Sequence, residues 1–112
     1  MARRTEAGVA ISGVLWTCSD PETWDAGQWD LCYRSRAEGR SPRGWYLGGD
    51  GMDHVAWAAR RLDDALKVAT LLILGEWHRT GLRDRTGRPF WRNAATGAER
   101  AQDDLTAELE VT

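Results

Sequence analysis

The sequence predicts an α+β fold, in which an antiparallel sheet of about four strands, a meander, is packed by one long helix and followed by a C-terminal β-hairpin. Three observations favour this class. The first half of the chain is rich in alternating and β-branched runs, Leu62–Trp77 carries helical signals, and an aromatic pair with a turn signal follows. With 112 residues the chain is expected to form one domain over 1–112, with flexible ends at 1–7 and 103–112.

Three strands are predicted in the first half of the chain. Gly8–Cys18 is rich in β-branched residues and is expected to be one buried strand, and Ser19–Gly27 contains an Asp-Pro pair that is typical of a turn. Gln28–Arg36 alternates between apolar and polar residues, and Trp45–Gly49 is a short apolar run after a loop. These segments are expected to pair in chain order as a meander.

A fourth strand is predicted over His54–Arg61, after a turn at Asp50–Asp53 that contains an Asp-Gly hairpin signal. Val55, Trp57 and Ala59 alternate as in a strand, although the alanines of this segment also suit an early helical turn. We favour the strand.

The long helix is expected to begin with Asp63 as its N-cap and to end between His78 and Gly81. Gly75 costs about 1 kcal/mol inside a helix, so the helix is expected to bend or to end there. The run KVATLLIL could instead form a buried strand, but its Leu and Ala content favours a helix.

The predicted helix is apolar over more of its circumference than one sheet can cover. Asp63, Asp64, Lys67 and Thr70 fall within roughly a third of the helical wheel, and apolar residues occupy the rest. The surplus needs a second cover, either the C-terminal hairpin of the same chain or another copy. We therefore predict a homodimer. Its contacts are expected at Val68, Leu71, Leu74 and Trp77.

The C-terminal hairpin is predicted from the segment GRPFWRNAATGAE. Its aromatic cluster, its Asn and its Thr-Gly turn resemble the second and third strands of a WW domain. Arg100 and Ala101 stand where that family has its closing Trp and Pro, so the resemblance does not extend to the peptide-binding groove. It implies a hairpin whose turn is braced by Asn93. The acidic segment Ala101–Thr112 is expected to be a short helix or a solvated tail.

Composition limits the classes of partner. The chain has 15 basic and 17 acidic residues, so it carries no overall charge that would attract nucleic acid. Lys67 is its only lysine, and arginine binds carboxylates and phosphates through two parallel hydrogen bonds as lysine cannot.

No apolar run is long enough to cross a membrane, and the N-terminus lacks a cleavage site of signal-peptide type. We expect a cytoplasmic protein without a membrane partner.

Catalytic and metal-binding signals are weak. Cys18, Cys32, His54 and His78 lack the short spacing of zinc ligands, and the cysteines are expected to be reduced, partly buried thiols. No nucleophile elbow or phosphate-binding glycine loop is present in the sequence, and Asp53 beside His54 is an unspecific pair. We expect no cofactor. A small enzyme remains a third hypothesis, which would require a buried cleft holding His54 or His78 beside a carboxylate.

The leading hypothesis is a small non-enzymatic interaction module that acts as a regulator or inhibitor by binding another protein. The chain has 7 Trp, and Trp and Arg are the residues most enriched at interface hot spots. The expected contact residues are Trp24, Arg83, Arg85, Arg88 and Trp91.

The alternative is a nucleic-acid-binding regulatory protein, in which arginines contact phosphates and aromatic rings stack on bases. It would use the arginine-rich segment after the helix together with Arg34, Arg36, Arg40, Arg43 and Arg92.

Overall fold

The computed structural model of the chain describes residues 8–49 and 55–111, and this part is mostly β-structure, with 48% strand and 19% helix. A curled six-stranded antiparallel sheet has its strands in chain order, and a second antiparallel sheet of three strands lies beyond the main helix. The elements are β1 (Val9–Ile11), β2 (Val14–Asp20), β3 (Thr23–Ala26), β4 (Trp29–Arg34), β5 (Gly44–Gly49), β6 (Ala56–Ala59), α1 (Leu62–Leu74), β7 (Trp77–Arg83), β8 (Pro89–Asn93), β9 (Glu99–Ala101) and α2 (Gln102–Ala107).

The predicted α+β class, with four strands and one long helix, is wrong because the first half of the chain forms more strands than its pattern indicates. The predicted strand Gly8–Cys18 is broken at Ser12 and Gly13, whose φ angles of 46° and 88° turn the chain back on itself, so β1 and β2 form a hairpin. The predicted turn Ser19–Gly27 contains β3, which pairs with β2 on one side and with β4 on the other. A four-residue strand is too short to show alternation, and its neighbours determine its conformation.

The main helix is shorter than predicted. It ends at Gly75, which has a left-handed φ of 75° and donates its N–H to the Leu71 carbonyl at 3.2 Å. The residue at the N-cap position is Arg61 rather than Asp63. The predicted end of the helix, between His78 and Gly81, lies instead in β7 (Trp77–Arg83) of the second sheet. No helix within the described residues is long and apolar enough to cross a membrane.

Several predicted elements agree with the structure. Strands β4 and β5 lie within or next to their predicted ranges, and β6 confirms the strand rather than the helix before α1. The turn Asp50–Asp53 and His54 lie outside the described residues. The hairpin of β8 and β9 is confirmed, and Asn93 braces its turn, since its Oδ1 accepts the N–H groups of Ala95 and Thr96, both at 2.9 Å. The acidic C-terminal segment begins with α2, a short helix.

One core joins both sheets around α1. Four side chains of this core are fully buried: Trp16 from β2, Leu31 from β4, Val68 from α1 and Trp91 from β8. Thr70 was placed on the polar face of the predicted helix, but it is also fully buried. Its hydroxyl accepts a hydrogen bond from Trp16 Nε1 at 2.9 Å and donates one to the Leu66 carbonyl at 2.8 Å. The broad apolar surface of α1 is therefore covered by other parts of the chain on more than one side.

The residues expected to form a homodimer lie largely inside the monomer. Val68 and Leu71 are buried, Trp77 is half-buried, and Leu74 is 42% exposed. Besides the six-stranded sheet, both β7 and α2 contact α1. Because the second sheet and α2 supply the additional cover within one chain, the observation from which the homodimer was predicted no longer supports it.

Candidate anion-binding cleft

An open cleft of about 800 Å³ lies between the two halves of the molecule, where the end of β6 and the first turns of α1 face β7 and α2. A cavity of this size is in the range that binding sites for small ligands and short segments occupy. Five arginines line its walls, together with two aromatic residues and two carboxylates. They are Arg43, Arg60, Arg61, Arg79 and Arg83, with Tyr33 and Trp57, and with Asp64 and Asp103.

Three separate parts of the chain bring the arginines together. Arg43 precedes β5, where Gly44 has a φ of 139° and lies so close to β6 that a Cβ would be 2.7 Å from the Ala59 carbonyl oxygen. Arg60 and Arg61 form the connection from β6 to α1, so the start of the helix fixes their position. The third part is β7, which carries Arg79 and Arg83 and contains Gly81 with a left-handed φ of 83°. The convergence therefore depends on the tertiary fold.

The cleft carries positive charge that its own carboxylates do not balance. Within the described part of the chain, none of the five cleft arginines forms an ion pair, whereas Arg88, Arg92 and Arg100 each do. Arg88 Nε lies 3.3 Å from Asp103 Oδ2, so one of the two cleft carboxylates is already engaged by an arginine outside the cleft lining. Among the described lining residues, Asp64 is the carboxylate that remains to face five guanidinium groups.

Arg79 shows that the arginines of the cleft repel one another. Its guanidinium lies 5.4 Å from the centroid of the Trp91 ring, in a cation–π contact. Desolvation, followed by the positive charge of Arg83, lowers the pKa of Arg79 from its ordinary range. Arginine nevertheless stays protonated at neutral pH, so two cations face the same space. An anion between them would relieve their repulsion.

The two aromatic side chains of the cleft are held in place by the protein. The half-buried Trp57 donates its Nε1–H to the Arg43 carbonyl at 3.2 Å, which fixes the plane of the indole. Tyr33 packs against Trp45 with ring centroids 5.2 Å apart and an interplanar angle of 51°. Both rings therefore present preformed apolar surface to a ligand that enters the cleft.

The residues expected to contact a protein partner do not form one surface. Trp91 is completely buried and donates its Nε1–H to Gln102 Oε1 at 3.1 Å, so it has no surface to offer a partner. Trp24 is half-buried and packs against the core. Arg88 is paired with Asp103, and Arg85 is exposed in the turn between β7 and β8, outside the cleft lining. Of this set, Arg83 alone lines the cleft.

The residues expected to contact nucleic acid are also divided. Arg43 lines the cleft, while Arg36 and Arg40 are exposed on the loop between β4 and β5 and do not line it. Arg34 lies over the Tyr46 ring, 4.4 Å from its centroid. Arg92 is paired with Glu99 through two hydrogen bonds.

The expected sites do not include the cleft residues Arg60, Arg61 and Trp57, whereas Arg79 belongs to the arginine-rich segment after the helix that the nucleic-acid hypothesis uses. A signal for the first two was available, because an arginine pair stands immediately before the helix start. Trp57 carries no such signal, since it is one of seven tryptophans until the strands are placed beside each other.

The described residues contain no group of three His, Cys, Asp or Glu side chains that could hold a metal ion. Cys18 and Cys32 are unpaired and half-buried. Desolvation and the nearby Asp30 carboxylate raise the pKa of the Cys32 thiol, which disfavours the reactive thiolate. His78 is exposed on β7 and lines a smaller cavity of about 260 Å³, whereas His54 lies outside the described residues.

Comparisons of the chain with protein-family models, with curated proteins and with solved structures find no match.

Proposed function

We propose that this protein is a small non-enzymatic binding module whose arginine cleft captures an anionic segment of a partner macromolecule. The observation that carries the proposal is the convergence of five arginines from three parts of the chain without an ion-pair partner among the described residues. Each guanidinium can donate two parallel hydrogen bonds to a phosphate or a carboxylate. An anionic partner would thus complete interactions that the fold leaves open.

The cleft favours binding over catalysis. Its lining, as far as the chain is described, includes no histidine, the side chain that most often acts as a general acid or base, and no cysteine or lysine nucleophile. Of its two carboxylates, Asp103 is paired with Arg88. The small cavity beside His78 has no carboxylate among its described lining residues, which is the pairing that the enzyme hypothesis requires. These features support a protein that recognises its partner without transforming it.

The formal net charge of −2 does not oppose this proposal. In physiological salt the field of exposed charges is screened over about 8 Å. Acidic side chains elsewhere on the surface therefore have little effect on an anion inside the cleft, where the nearest fixed charges are guanidinium groups. Binding is expected to be local and strongly dependent on salt.

The test is a comparison of two variants that lose the same charge. One carries Arg43→Gln, Arg60→Gln and Arg61→Gln in the cleft. The matched control carries Arg36→Gln, Arg40→Gln and Arg85→Gln, which are equally exposed but lie outside the cleft lining. Fluorescence anisotropy measures the binding of a labelled oligothymidylate strand and of a labelled oligoglutamate peptide over a series of salt concentrations.

The expected result is that the unaltered protein binds at least one of these polymers and that affinity falls with salt. Each phosphate neutralised on a single strand contributes about −0.7 to the slope of log K against log salt, so engagement of all the cleft arginines predicts a slope of about −3.5. Removing three of them is expected to reduce the slope by about 2, and the control is expected to retain it. Equal losses in both variants, or no binding of either polymer by the unaltered protein, would refute the proposal.

A further inference from the structure

We infer that the anionic segment accepted by this cleft is single-stranded nucleic acid. Its phosphates would contact the arginines, and its bases would stack on the aromatic wall formed by Tyr33 and Trp57. This inference rests on the proposed function and adds the chemical class of the ligand. Its independent observation is that Tyr33 and Trp57 line the same cleft as the arginines.

The aromatic wall gives a reason to prefer a nucleic acid to an acidic protein segment. The indole of Trp57 is oriented by its hydrogen bond to the Arg43 carbonyl, so a preformed ring lines the same cleft as guanidinium groups that can hold phosphates. Stacking of bases on aromatic rings is a main source of affinity in proteins that bind single strands, and it tolerates any sequence because every base has a flat face. A chain of Asp and Glu side chains has no such face.

The charge pattern of the cleft points in the same direction. Asp64 lies among the arginines, and in the described part of the chain it has no ion-pair partner. It repels phosphates as well as carboxylates at close range, so a bound strand would present uncharged groups to it. An aspartate can accept hydrogen bonds from base N–H groups, such as the N3–H of thymine, while the arginines contact phosphates.

The shape of the site favours a single strand over a duplex. Proteins that recognise duplex DNA insert a helix or a pair of strands into a groove. Here the arginines line a concave cleft of about 800 Å³, which is too small to enclose a duplex. A single strand is flexible enough to enter, and its bases are free to turn toward Trp57.

The experiment measures the affinity of the unaltered full chain for four labelled probes by fluorescence anisotropy. These are an oligothymidylate strand, a deoxyribose-phosphate strand of the same length without bases, a duplex of that length and an oligoglutamate peptide. Since stacking typically contributes a factor of ten or more per base, the strand with bases is expected to bind at least about tenfold more tightly than the strand without bases. It is also expected to bind more tightly than the duplex and the peptide.

Substitution of Trp57 then tests the position of the stacking surface. Trp57→Leu is expected to lose most of the preference for the strand with bases, with Tyr33 supplying the remainder, and Trp57→Phe is expected to restore the preference. The comparison of the two strands on the unaltered protein needs no substitution, so the inference remains testable if the leucine variant does not fold.

The outcomes separate this inference from the proposed function. Equal binding of the two strands, or tighter binding of the duplex or of the peptide, would overturn the inference while the cleft would still bind an anionic polymer. Failure of all four probes to bind would refute the proposed function and the inference together.

Discussion

The buried hydrogen bond between Trp16 and Thr70 predicts a specific loss of stability in the variant Thr70→Val. Both side chains are completely buried, and the indole N–H of Trp16 lies 2.9 Å from the Thr70 hydroxyl. Valine has the same shape as threonine but cannot accept this hydrogen bond, so the indole N–H would be left buried and unpaired. Such a group costs about 1–3 kcal/mol, and we expect a loss of about 2 kcal/mol in the free energy of unfolding.

Urea denaturation followed by circular dichroism measures this loss. With a slope of about 2 kcal/mol per molar urea, the midpoint is expected to fall by about 1 M. The matched control is Thr17→Val on β2, next to Trp16, where the threonine is exposed and a change of less than about 0.5 kcal/mol is expected. In a double-mutant cycle with Trp16→Phe, the two changes are expected to be non-additive by about 1 kcal/mol, because the second removes the donor that the first leaves unpaired.

The reasoning would be refuted if Thr70→Val were no more destabilising than Thr17→Val. It would also be refuted if the changes at Thr70 and Trp16 were additive, since the hydrogen bond would then contribute nothing to the free energy of unfolding.

Two further predictions concern the backbone and the pH dependence of stability. Gly44→Ala would place a Cβ 2.7 Å from the Ala59 carbonyl oxygen at a φ of 139°, so we expect a loss above about 2 kcal/mol and a fall in Tm of about 10 °C. Gly13→Ala, with a φ of 88° and no atom within 4 Å of the added Cβ, is the control for backbone strain alone, and an equal fall in Tm would contradict the steric argument. Hydrogen bonds from Thr86 and from the backbone lower the pKa of Asp84 below 3.8, so its carboxylate stabilises the fold above that pH and loses this effect as the pH falls through the folded pKa. Asp84→Asn should therefore have a lower Tm than the unaltered protein at neutral pH, with a difference that shrinks in acid; a difference independent of pH would contradict this cause.

Local signals in the sequence predict those elements whose conformation depends on adjacent residues. Asn93 lies two and three residues before the N–H groups that it accepts, so the turn of the β8–β9 hairpin is visible in the sequence. The body of α1 is predicted for the same reason, since its leucines and alanines favour a helix without reference to the rest of the chain. Gly75 signals the end of this helix, and its left-handed φ shows that the shorter of the two expected helices is correct.

Elements that depend on distant partners are not predicted. Strand β3 has four residues and no alternation that distinguishes it from a turn, but β2 and β4 hydrogen-bond to it on both sides. Strand β7 follows Gly75 after a single residue, and the predicted helix overlaps its first residues, which pairing with β8 makes extended. Thr70 appears polar on a helical wheel, and Trp16, 54 residues away, makes its burial possible.

The main helix, the C-terminal hairpin and the abundance of arginine over lysine are predictable because they follow from local propensity and composition. Which arginines act together depends on the tertiary structure. Arg88, Arg92 and Arg100 face carboxylates, whereas Arg43, Arg60, Arg61, Arg79 and Arg83 line one cleft without such partners among the described residues. Every arginine carries the same charge in the sequence. Whether that charge is neutralised or left for a ligand depends on distances between segments that only folding brings together.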